Sequence, residues 1–409
     1  MNRQHYPRTH GRRLIATALG LLLLLPALAE AGAREQARRL HDRIAGVPPS
    51  QTVLNAMQAQ IEAGNPRAAA DIAMQNKSFY NVTLKNMVTP WTNEAQTRYA
   101  PLNDYTATVV GIVRDDLDFR RVLHDDILYV GVAPSGDALP AYSNDNNNHY
   151  AELERRNLNL GDDDILQRRD QSDVTGLPAE ATAGVLTSRA ASHAFFIAGT
   201  NRAMLRFTLM NHLCRDLEQV KDNTRPPDRI RQDVSRSPGG DSRVFHGTCL
   251  ACHAGMDPLA QAFAYYDFDG IEGEAGGRLS WNREGDIDPF TGIRVKKKYW
   301  INSNNFVHGF ITPDDSWENY WRRGVNEHLG WDASLPGKGN GAKSLGQELA
   351  HSTAFAQCQV KKVFRTVCLR DPSTAADHNA VNAITGTFRN NGYSLRRVFA
   401  ETGSYCMGN

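Results

Sequence analysis

The chain has 409 residues, with 46 Lys and Arg against 45 Asp and Glu, a formal net charge of +1. It carries no basic excess of the kind that phosphate neutralisation requires, so nothing points to nucleic acid. Its length and 41% hydrophobic content supply one large or two medium domains with real cores.

The first element is a leader. Arg12-Arg13 is a positive start, Leu14 to Leu28 an apolar core, and Ala29-Glu30-Ala31 a small-x-small cleavage site. A signal peptide over residues 1–31 is expected, leaving a mature chain with no transmembrane span, periplasmic or secreted in a bacterium.

Residues 32–180 read as a mainly helical N-terminal region. Ser50 can cap a helix with Val53, Leu54, Met57 and Ile61 on one side and Gly64 past its end. Asn65-Pro66 reads as the cap and first turn of a second helix. Tyr105 to Val113 is β-branched, and its periodicity fits a strand or a buried helix equally. Pro134 to Glu180 is polar and loop-like, and a domain boundary or a long excursion is expected there. Within it Asn144, Asn146 and Asn148 alternate, and further on lie Asp286 and Asp288. Both sets read as solvated loops, since calcium-loop spacing is absent.

The second domain is expected over residues 181–409. Thr200 to Val220 predicts one helix bearing Met204, Phe207, Leu213, Cys214 and Leu217, followed by a Pro- and Gly-rich connector. Next comes Cys249-Leu250-Ala251-Cys252-His253, the C-x-x-C-H spacing of covalent haem c attachment. The two thiols would form thioethers with the haem, and His253 would be the proximal iron ligand. Asp257-Pro258 reads as a cap and first turn. Residues 270–345 read as long irregular loops. Ser352, Asp377 and Ser394 can each cap a C-terminal helix.

Two sets of cysteines are distinguished. Zinc needs four ligands at short range, and Cys214, Cys358, Cys368 and Cys406 are scattered singly. They fit two disulfides in an oxidising compartment. One helix over 353–369 would hold Cys358 and Cys368 about 15 Å apart. That favours Cys368–Cys406 with Cys214–Cys358, with free buried thiols as the alternative.

The run from Cys249 through His253 to Met256-Asp257-Pro258-Leu259, followed by Phe263-Ala-Tyr-Tyr-Asp267, resembles planctomycete-type cytochrome c domain families of unknown function. The likeness extends to Gly184-Val-Leu-Thr, Asn201-Arg202 and Leu349-Ala-His-Ser352, and so covers roughly residues 180–409. Ala260-Gln261 departs from the Gly-Phe usual there. The resemblance implies a mainly α fold: a helical c-type cytochrome domain with long irregular loops beside the helical N-terminal region. It brings no established reaction.

On this reading the chain is an exported monohaem cytochrome passing single electrons to a redox partner protein. The alternatives are a haem enzyme of peroxidase or oxidase type with an open distal site, and a chiefly structural or partner-binding protein. Met204, Met210 and His308 are the candidates for the sixth iron ligand. Arg202 would pair with a haem propionate or form a surface salt bridge.

Overall fold

A computed structural model describes residue 1 and residues 31–134, 138–197, 200–302 and 304–408. The leader expected over residues 1–31 falls almost wholly outside these. Among the described residues no helix is long and apolar enough to cross a membrane.

The fold is mainly α-helical with irregular connections. Helix α1 (Ala33–Ala45) packs on α2 (Gln51–Glu62) and α3 (Pro66–Ala73), and α4 (Asp104–Arg114) is buried on all sides. The ambiguous segment from Tyr105 is thus a helix. Asn103 starts it by accepting from the Thr106 amide at 3.0 Å. Strands β1 (Leu128–Gly131) and β2 (Leu166–Arg169) pair antiparallel across the polar excursion.

Two local expectations are corrected here. Thr200 to Val220 is not one helix. Helix α5 (Arg202–Thr208) passes into a π-helical turn, Leu209–Leu213, and Cys214 then takes a left-handed conformation with φ 54°. Asp216 restarts the chain with a capping box around Leu217–Val220. Asp257-Pro258 does not begin a helix either. Both lie inside α6 (Leu250–Ala260), which continues a helical run from Ser242 through the π-turn Phe245–Cys249. The Asp257 carboxylate is engaged in ion pairs, so it is not free to cap, and Pro258 falls in the last turn.

Two further two-stranded pairs follow: β3 (Tyr266–Asp269) with β4 (Arg278–Trp281), and β5 (Ser316–Glu318) with β6 (Lys338–Asn340). They are the strands within an otherwise irregular stretch. The chain closes with α7 (Gly341–Ala350), α8 (Thr353–Cys368), α9 (Ala375–Asn390) and α10 (Leu395–Cys406). Ser352 caps α8 through the Phe355 amide at 3.1 Å, and Ser394 caps α10 through Arg397 at 3.1 Å. Thr374, not Asp377, caps α9. Asp377 is its partner in the capping box, three residues on.

One hydrophobic core joins α1, α3 and α4 to α8 and α10, running from Ala37 to Ala400. The disulfides are Cys214–Cys358, with Cα atoms 5.2 Å apart, and Cys368–Cys406, at 5.5 Å. Helix α8 carries both Cys358 and Cys368, one in each bridge.

Candidate functional site

Helix α6 rests on α5 and carries the Cys249 to His253 motif on its first turns. Cys249 and Cys252 are free thiols, both half-buried. The Cys252 Sγ lies 3.8 Å from the Leu217 carbonyl. Burial pushes this thiol's pKa up, and the nearby Glu218 carboxylate adds to the effect.

His253 is held from below. Its Nδ1 lies 3.0 Å from the Asp257 Oδ1, one helical turn further along α6. Asp257 is fully buried, while His253 keeps about a fifth of its side chain exposed (20%). Arg202 grips Asp257 with two parallel hydrogen bonds, Nε to Oδ1 at 2.7 Å and Nη2 to Oδ2 at 2.8 Å. The same guanidinium reaches Asp233 at 2.7 and 2.9 Å. Arg231 completes the group: its Nη2 donates to Asp233 at 3.0 Å, and its backbone amide to Asp257 at 3.3 Å. Burial alone would raise the Asp257 carboxyl. Arg202 and His253 outweigh it and hold the group well below the usual carboxylate range.

Arg202 therefore spans two carboxylates in the interior, neither a propionate nor a surface partner. Beside it Asn201 donates to the Phe263 and Tyr266 carbonyls, tying the start of α5 to the chain beyond α6. Asp233 and Arg231 carried no signal in the sequence. Asp257 did, since an i, i+4 pair with His253 follows once the helix is continued through Pro258.

The proposed distal ligands lie in three different surroundings. Met204 is packed into the main core, Met210 borders a cleft beside Cys214 and Lys361, and His308 sits in an exposed loop against Phe306.

No protein-family model, curated protein or solved structure matches the chain. The resemblance to planctomycete-type cytochrome c domain families is corrected on that finding. The haem c reading is corrected with it. Four of the six cysteines are joined in disulfides, Cys249 and Cys252 stand as free thiols, and the His253 Nδ1 is turned onto Asp257. Among the described residues, the group of His, Cys, Asp or Glu side chains drawn close enough to hold a metal ion is Asp162, Asp163 and Asp164. Neither the motif nor Met204, Met210 or His308 belongs to it. The electron-carrier reading and its peroxidase or oxidase alternative both required that haem, and both fall with it.

Proposed function

We propose that the chain is an exported dithiol protein that exchanges electrons with disulfides through Cys249 and Cys252. The observation that carries this is the contrast among the cysteines. Four are oxidised in pairs, while these two remain free and half-exposed, three residues apart on one helical run. Helical neighbours at i, i+3 have Cβ atoms about 5–6 Å apart, so a small local shift lets them bridge. The expected leader and the two disulfides support placement in an oxidising compartment outside the cytoplasm.

The surroundings divide the roles. Burial, then Glu218, raises the pKa of the Cys252 thiol, which suits it to the second step. The Cys249 thiolate attacks one sulfur of a substrate disulfide. The substrate S–S bond breaks, a mixed disulfide forms, and the departing sulfur takes up a proton. Cys252 then loses its proton and attacks the Cys249 sulfur, releasing the second substrate thiol. Two electrons pass from the protein dithiol to the substrate disulfide; the reverse sequence oxidises a substrate dithiol. The partner is accordingly a protein or small molecule bearing a disulfide or a dithiol.

Intact-mass analysis of the purified chain across a glutathione redox series tests this. A reversible loss of about 2 Da, mapped to a Cys249–Cys252 bridge, is expected. Cys252→Ser should trap a mixed disulfide on Cys249. Thiols that never pair in oxidised glutathione, or a covalent group found joining both sulfurs, would overturn the reading.

A further inference from the structure

Far from α6, two clefts meet at Lys362 on α8. The first, about 600 Å³, lies between the end of α1, the 82–98 segment and α8. The second, about 540 Å³, lies between the Cys214–Gln219 stretch, α8 and α9. Lys362, Arg365 and Gln96 border both. Residues 362, 365 and 369 share one face of α8 and its terminus by helical spacing. The disulfides fix that face at both ends, through Cys358 and Cys368.

The charge in the first cleft is one-sided. Arg43, Arg98, Lys362 and Arg365 border it, against a single carboxylate, Asp42. Arg365 already pairs with Asp371 at 2.7 Å, outside this cleft. The Lys362 side-chain amine has neither an ion pair nor a hydrogen bond among the described residues, while the residue's backbone carbonyl accepts from the Thr366 hydroxyl at 2.9 Å. Its Nζ lies over the Trp91 ring, 4.5 Å from the centroid. Burial, with Arg365 second, draws this amine down to about 7. A half-buried ammonium without an anion is costly, and an oxyanion entering the cleft would relieve it.

We infer that the junction of the two clefts at Lys362 and Arg365 is a binding site for a small multivalent oxyanion, a phosphate or polycarboxylate compound, with Arg98 closing on it from the facing segment. Trp91 and Leu369 supply apolar walls for the rest of such a molecule.

Isothermal titration of the full chain, disulfides intact and at physiological salt, with pyrophosphate and with citrate tests the site. At least one probe should bind saturably at one site. Lys362→Met and Arg98→Ala should each weaken that binding by about fivefold or more, as expected for a lost charge-assisted contact. Arg98 is exposed, so its removal leaves the fold intact. Binding of neither probe, or binding that either variant weakens less than this, would overturn the proposal.

Discussion

Removing the charge of Arg202 leaves two buried carboxylates, Asp257 and Asp233, with Arg231 and the His253 imidazole to answer them. Breaking a buried pair from one side typically costs about 3–5 kcal/mol, because the remaining charge stays desolvated. Arg202→Met should lower the unfolding free energy by that order in urea titrations. Arg202→Lys should lose less, keeping the charge but not the fork. The Arg202 grip was hidden in the sequence because its two carboxylates lie 31 and 55 residues away. The caps at Ser50, Ser352 and Ser394 were legible, since each is decided by a hydroxyl and an amide three residues on. Lys362 gave no signal, because burial over Trp91 is set by a segment some 270 residues upstream in sequence, about two-thirds of the chain.

At the scale of elements, α6 is seated by the absence of a side chain. A Cβ at Gly255 would run into the Trp321 indole, which is wholly buried. Gly255→Ala should therefore cost about 1–3 kcal/mol by overpacking. Gly386 on α9 faces open space, and Gly386→Ala there should be neutral or mildly stabilising. Comparing thermal midpoints of the two variants checks the contrast. The C-terminal helices were readable because apolar spacing and caps agree along each. The stretch from Thr200 misled for the opposite reason: its apolar pattern is helical, but the π-turn and the left-handed Cys214 bring that cysteine to Cys358, 144 residues on. The haem expectation rested on a five-residue spacing, with the expected leader and a family resemblance in support, and a spacing does not report what lies around it.

The molecule as a whole carries imidazoles that its interior keeps neutral. His212 is completely buried, with Nε2 2.7 Å from the Tyr105 hydroxyl and Nδ1 without a partner. Burial, then Lys362, lowers its pKa to about 3; burial, then His351, lowers His124 to about 4. Well above pH 6.5 both residues are neutral whether the chain is folded or not, and they leave stability unchanged. Below it the unfolded chain binds protons that the native state refuses, so stability falls, with a slope that approaches about 1.4 kcal/mol per pH unit for each such group as the unfolded imidazole becomes fully protonated. His212→Gln should reduce the loss between pH 6.5 and 5.5 by about 1 kcal/mol, measured as urea midpoints at the two values. The bridges of α8 have a consequence for how such a chain is made. Its cysteines emerge in the order Cys214, Cys249, Cys252, Cys358, Cys368, Cys406. The first to appear must stay unpaired while two thiols pass it, and wait for the fourth. If synthesis and export proceed from the N-terminus, oxidation of each thiol with its nearest successor joins Cys214 to Cys249 and Cys252 to Cys358, and makes only Cys368–Cys406 correctly. Biogenesis then depends on a reshuffling catalyst, and a host lacking one should accumulate scrambled isomers.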